Sequence, residues 1–144
     1  MNVEFEIYSM GYKNGDDVLW SAILLAKAED GQVKEKTIVQ RLPMMTKNQA
    51  DILSISRALQ CIRPGYRGQC KVVFHPPPGY AAAMLEKTMD GLWKSEPKAN
   101  HGEVRAARDA VNRYANLEIQ KIDMAAKMVK RCVELARNVT QPTE

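Results

Sequence analysis

Hydrophobic and polar residues alternate at the start of the chain, with Val3, Phe5 and Ile7 on one parity and Glu4, Glu6 and Tyr8 on the other. A period of two predicts a half-buried strand over 3–8. Residues 11–17 (Gly-Tyr-Lys-Asn-Gly-Asp-Asp) carry turn chemistry. The stretch 18–25 is too apolar to be exposed on both faces and reads as a second strand. Asp30-Gly31 predicts a tight hairpin, and 33–42 returns as a third strand. The chain thus opens as a three-stranded antiparallel meander.

The period then changes. Ile52, Ile55, Leu59 and Ile62 recur at helical spacing, so one stripe faces a core. Thr46 with Gln49 three residues on fits a capping box, and Pro64-Gly65 is the predicted stop. Asp51 precedes the stripe. Read as a first-turn acid, its charge suits the positive end of the helix dipole, which by itself accounts for it. Residues 70–74 form a short buried strand, and a strand–helix–strand passage argues for parallel pairing. His75-Pro76-Pro77-Pro78-Gly79 ends that strand, because proline has no N–H to give a ladder. A helix over 80–89 follows, then a polar irregular stretch over 91–102 containing Trp93-Lys94. Val104, Ala107, Val111 and Tyr114 mark a helix over 103–115. A fifth strand is predicted over 117–122, and a last helix over 125–139 with Met128, Val129, Cys132, Leu135 and Ala136 on its inner face. The prediction is an α/β domain over 1–139 with a tail over 140–144. Its five-stranded mixed sheet, three strands antiparallel and two added in parallel, is flanked by helices.

Composition narrows the class. A chain of 144 residues suits one domain with a proper core. With 45% hydrophobic and 26% charged residues it reads as globular and not disordered. No apolar run reaches membrane-spanning length and no secretory signal opens the chain, so no membrane role is expected. Cys61, Cys70 and Cys132 are odd in number and lack paired spacing, which points to a reduced, cytoplasmic setting and away from a zinc site. A net charge of +4 permits a nucleic-acid or acidic-protein partner without requiring one.

Specific residues then line up with a known family. Ile7-Tyr8-Ser9-Met10-Gly11 resembles the isoleucine-tyrosine-threonine-aspartate-glycine of type 1 ribonuclease H. Thr46-Lys47-Asn48-Gln49-Ala50-Asp51-Ile52-Leu53 resembles the start of that family's central helix, and Phe74-His75-Pro76-Pro77 falls where it has tyrosine-threonine-aspartate-serine. Arg131-Cys132-Val133-Glu134-Leu135-Ala136-Arg137 resembles its last-helix motif arginine-cysteine-aspartate-glutamate-leucine-alanine-arginine. The resemblance spans nearly the whole chain and implies a ribonuclease H-like fold. It also implies an activity, cleavage of the RNA strand of an RNA/DNA hybrid by two divalent ions held on four acids. At those four positions this chain carries Met10, Asp51, Pro76 (or Pro77, the gap being ambiguous) and Val133.

Chemistry makes the departure consequential. Two Mg²⁺ ions about 4 Å apart need hard oxygen ligands. A thioether, a proline ring and an isopropyl group supply none. Other acids are poorly placed to substitute. Asp16 and Asp17 lie in the first turn region, roughly 20 Å along the chain from Met10 at strand spacing. Glu134 is turned about 100° from Val133 around the helix. Glu4 and Glu6 share the parity of Met10 and lie further back. The family's histidine loop before the last helix is replaced by Asp123-Met124-Ala125-Ala126, and His75 and His101 read as structural or solvent-exposed.

The resemblance also implies a binding surface. Thr46, Lys47 and Asn48 occupy positions that touch the hybrid's minor groove and a DNA phosphate in the family. A helix N-terminus with hydroxyl and ammonium groups suits phosphate, although Thr46 and Asn48 also suit plain capping. Trp93 and Lys94 resemble the region that grips the DNA strand, and an indole can equally cover the core. Lys98, Arg105 and Arg108 could extend a basic strip, interrupted by Glu96, Glu103 and Asp109. Lys127, Lys130, Arg131 and Arg137 give the last helix a basic outer face, as simple solvation also would.

Three functions remain open. The first is a catalytically inactive ribonuclease H-like protein that binds RNA, DNA or their hybrid without metal. The second is a ribonuclease H-like module for protein contact or self-association, using adaptable apolar residues such as Met44 and Met45. The third is a nuclease with a rearranged Mg²⁺ or Mn²⁺ site around Asp51; only this one needs a cofactor.

Overall fold

The computed structural model describes residues 3–62, 70–89 and 101–140, and its elements follow the predicted order. β1 (Glu4–Asn14) and β2 (Asp17–Lys27) pair antiparallel from Glu4↔Lys27 to Asn14↔Asp17. β1 therefore runs through most of the stretch read as a turn, which contracts to Gly15-Asp16. Polarity at Lys13 and Asn14 marks solvent exposure at the hairpin tip, not the end of pairing. Gly15 sits at φ +62, the sign that a two-residue hairpin needs at its first central position. At Asp30-Gly31 the error is the reverse. The connection to β3 (Val33–Arg41) is a wider loop over 28–32, closed by the Ala28 N–H to the Gln32 carbonyl at 2.9 Å.

α1 (Lys47–Leu59) begins at the predicted cap. Thr46 Oγ1 accepts from the Gln49 N–H at 3.1 Å, and Gln49 Oε1 accepts from the Thr46 N–H at 2.9 Å. The helix ends at Leu59 with Gln60 as its C-cap, before Pro64-Gly65, which lies outside the described residues. No acid lies in its first turn. Asp51 is a full turn in, four residues from Lys47, so the helix dipole does not explain it.

β4 (Lys71–His75) runs parallel to β1, from Glu4↔Lys71 to Tyr8↔His75, and stops at the prolines. α2 (Tyr80–Met89) follows as predicted, while α3 (His101–Asn112) starts two residues early. β5 (Leu117–Ile119) pairs parallel with β4 and is shorter than expected; the Gln120 N–H reaches the Phe74 carbonyl at 3.0 Å before the chain leaves the sheet. α4 (Lys127–Thr140) starts late, because Asp123 Oδ1 takes the Ala125 N–H at 2.8 Å in a turn, and it absorbs Thr140 from the predicted tail. Residues 141–144 lie outside the described residues.

The sheet order is β3-β2-β1-β4-β5, antiparallel across the first three strands and parallel across β1, β4 and β5. This is the mixed α/β architecture that the resemblance implies. One face carries the larger core, in which Ile7, Trp20 and Phe74 of the sheet pack with Ile55 and Leu59 of α1 and with Val111 of α3. The other carries α4, whose Val129 and Cys132 meet Met10 and Ile23. Burying each such side chain contributes about 1.5–3 kcal/mol. No helix among the described residues is long and apolar enough to cross a membrane.

Candidate functional site

β1 outruns β4, and α1 closes against the part left over. Gly11 makes that approach geometrically feasible: a Cβ there would lie 2.5 Å from the Ala50 carbonyl carbon and 2.5 Å from the Asp51 nitrogen. Across this contact the Gly11 N–H donates to Asp51 Oδ1 at 2.8 Å. The Ser54 hydroxyl, on the same side of α1, donates to the Asp51 carbonyl at 2.7 Å and lies 2.9 Å from Ser9 Oγ. β1 and α1 are thereby joined at two polar contacts, Gly11 to Asp51 and Ser9 to Ser54.

Asp51 is nearly enclosed, its side chain only 8% exposed. Lys47 Nζ sits 2.6 Å from Oδ1 and 2.7 Å from Oδ2. With the Gly11 N–H, both carboxylate oxygens are occupied. Burial pushes the Asp51 carboxyl up from its ordinary value; the Lys47 charge and hydrogen bond and the Gly11 N–H offset part of that rise.

The other positions tied to the family's acids fall around the same piece of β1. Met10 is 2% exposed and points to the α4 side, packed with Ile23, Val129 and Cys132, with Val133 at the margin of that cluster. Pro76 is buried and directly follows the Tyr8↔His75 pair, which places it beside β1 near Ser9. The fold thus gathers Met10, Pro76 and Val133 about β1 with Asp51 on the α1 side. Ser21 Oγ holds α4 there by donating to the Cys132 carbonyl at 2.7 Å. Burial pushes the Cys132 thiol up to about 12, so it stays protonated.

A second polar cluster lies further back on the α4-side face. Tyr8 donates its hydroxyl to Glu6 Oε1, and Lys27 Nζ lies 2.7 Å from Glu6 Oε2. His75 stacks on Tyr8 with ring centroids 4.3 Å apart; its Nε2 is 3.2 Å from Glu6 Oε1 and its Nδ1 is 3.0 Å from the Gln120 carbonyl. Burial pushes the Glu6 carboxyl up, but hydrogen bonds from Lys27 and Tyr8, with the charges of Lys27 and His75, outweigh it and leave it below its usual range. Tyr8 is driven well above an ordinary phenol by burial and by the neighbouring Glu6 carboxylate. The cluster fastens β1, β2, β4 and the exit of β5, so Glu6 is committed there and His75 is structural.

The remaining candidates separate cleanly. Thr46 spends its hydroxyl on the cap, Asn48 is exposed, and Lys47 is tethered to Asp51 while its side chain stays 44% exposed. Trp93, Lys94 and Lys98 lie outside the described residues. Glu134 faces solvent and pairs with Arg137 at 3.2 Å, and Asp17 pairs with Arg41 at 3.0 Å. Arg131 grips Glu35 of β3 through both nitrogens, at 2.6 and 2.8 Å, leaving Lys127 and Lys130 as the exposed basic groups of α4's first turns. Among the described residues no three His, Cys, Asp or Glu side chains are grouped so as to hold a metal ion.

Sequence reasoning named Lys47 and Asp51 separately and missed their pairing, although the i, i+4 spacing was the signal. It also missed Gly11 as a contact point and the Glu6–Tyr8–His75 cluster, for which strand parity plus the parallel register of β4 was the available sign.

No protein-family model matches the sequence, and no curated protein matches it. Solved structures do. The RNase H1 of the halophilic archaeon Halobacterium salinarum NRC-1 superposes with a TM-score of 0.66 at 14% identity, covering 94% of this chain and 98% of that one. LC11-RNase H1, isolated from compost and solved in complex with an RNA/DNA hybrid, gives 0.58 at 17% identity over 93% and 99%. The protease–reverse transcriptase of prototype foamy virus gives 0.61 at 11% identity, covering 99% of this chain and 21% of that one. These likenesses establish the ribonuclease H fold.

Proposed function

We propose that this chain is a ribonuclease H-fold protein that binds nucleic acid (RNA, DNA or their hybrid) without hydrolysing it. The observation that carries the reading is the state of the positions tied to the family's acids. Three offer sulfur or carbon only, and the one carboxylate has both oxygens engaged by Lys47 and Gly11. A pair of divalent ions, which demands several hard oxygen ligands, does not fit this set. A nuclease rearranged around Asp51 is disfavoured for the same reason.

Binding is supported by the fold, by a structural neighbour solved on a hybrid, and by the open N-terminus of α1. There Lys47 and Asn48 reach solvent beside the first N–H groups of the helix, an arrangement suited to backbone phosphate. Fewer acids in the groove also mean less repulsion of phosphates. The three unpaired cysteines favour the cytoplasm as its compartment.

A second reading, protein contact or self-association, draws on a cleft of about 340 Å³ beside α4. Met124, Val129 and Val133 give it an apolar floor, and Lys130, Glu134 and Arg137 form its rim. One assay separates the readings: labelled RNA/DNA hybrid with purified protein, scored for binding and cleavage, with and without Mn²⁺. The first reading expects binding that needs no metal, no cleavage, and a steep fall with salt. Lys47→Glu weakens it about tenfold and flattens the log–log salt slope by about 1. Mn²⁺-dependent cleavage overturns it, and absence of binding to hybrid, RNA and DNA leaves the protein-contact reading.

A further inference from the structure

We infer that the Lys47 ammonium stands as the built-in counter-ion of Asp51 and closes that carboxylate to divalent cations. A carboxylate presents its lone pairs around two oxygens. Here one ammonium spans both, at 2.6 and 2.7 Å, and a backbone N–H takes another direction at 2.8 Å. A divalent ion at such an oxygen would sit about 2.1 Å away and retain several waters. It would meet Lys47 at repulsive range, in a place where the Asp51 side chain is 8% exposed. Displacing Lys47 would not complete a site, since among the described residues Asp51 belongs to no group of three His, Cys, Asp or Glu side chains that could hold an ion.

The order of the two residues is independent support. Acid before base is the favourable i, i+4 arrangement on a helix, and a positive charge in the first turn opposes the dipole. Lys47 before Asp51 is the opposite on both counts. An isolated helix gains little from such a pair; a buried carboxylate pinned to Gly11 gains a counter-charge from it. The lock concerns Asp51 alone and holds whether or not the chain binds nucleic acid.

The test uses ¹⁵N-labelled full chain titrated with millimolar MnCl₂, reading paramagnetic loss of amide signals, alongside thermal melts in EDTA and in MnCl₂ at matched ionic strength. In the wild type the Gly11 and Asp51 amides keep their intensity while amides beside exposed acids such as Glu134 lose theirs, and Tm is the same in both buffers. Lys47→Met exposes the carboxylate, and the Gly11 and Asp51 signals are lost at the same Mn²⁺ concentration. Lys47→Arg retains the charge and behaves as wild type. Preferential loss at Gly11 and Asp51 in the wild type, or a Tm raised by Mn²⁺, overturns the inference. Retention of both signals in a folded Lys47→Met protein overturns it too, because Asp51 would then be closed by something other than Lys47. If Lys47→Met does not fold, loss of the same signals in Lys47→Arg overturns it and their retention supports it.

Discussion

Replacing Gly11 by alanine tests how closely β1 and α1 approach. The added Cβ would lie 2.5 Å from two backbone atoms of α1 and 2.7 Å from Ala50 Cβ. Ordinary contact begins near 3.4 Å, so the helix must withdraw by about 1 Å, and no rotamer relieves a clash with backbone. Overpacking of this kind costs about 1–3 kcal/mol. Withdrawal also stretches the 2.8 Å bond from the Gly11 N–H to the buried Asp51 carboxylate, a charge-assisted contact worth about 1.5–3 kcal/mol. The combined loss is about 2.5–6 kcal/mol, a large share of the roughly 7–20 kcal/mol a domain of this size has. At about 3–4 °C per kcal/mol, Tm falls by roughly 8–24 °C. Urea and thermal unfolding followed by circular dichroism measure it. Gly15→Ala is the control: no atom lies within 4 Å of its Cβ, and only φ +62 resists the change, so about 1 kcal/mol is expected. A Gly11→Ala protein within about 1 kcal/mol of wild type would refute the close approach.

Thr46→Ala removes one half of the capping box and lowers stability by about 1 kcal/mol, measured as a shift of the urea midpoint at unchanged slope; an unchanged midpoint would show the cap to be idle. Glu6→Gln should show a pH dependence. Because the folded-state carboxyl lies below its ordinary value, its contribution is present above the unfolded value near 4.5 and is lost as pH falls through the folded one. The variant is therefore less stable than wild type by about 1 kcal/mol at neutral pH, and the gap closes in acid. Parallel urea titrations across that range decide it, and a gap that stays constant would refute the carboxylate's role.

Much of the fold was legible because its signals are local. The capping box at Thr46 and Gln49, the prolines after His75 and the alternation of Val3, Phe5 and Ile7 each act within a few residues. Element ends were less legible where a neighbouring chain decides them. β1 continues past Tyr12 because β2 pairs with it to the tip, and β5 stops at Ile119 because β4 is already exhausted at His75. The site was read as residue types without their partners. The depth of Asp51 depends on how closely Gly11 lets α1 approach, and the engagement of Glu6 depends on the register that sets His75 beside Tyr8. Neither follows from spacing along the chain.

β3 has a consequence for assembly. It forms the outer border of the sheet, nine residues long, with one row of backbone donors and acceptors turned away from β2. Such a border is a template for pairing with a strand of another chain. Lys34, Glu35 and Lys36 crowd its exposed half, and Arg131 clasps Glu35. An antiparallel second copy centred on Glu35 would set Lys34 against Lys36, so that pairing of two β3 edges is opposed by like charges.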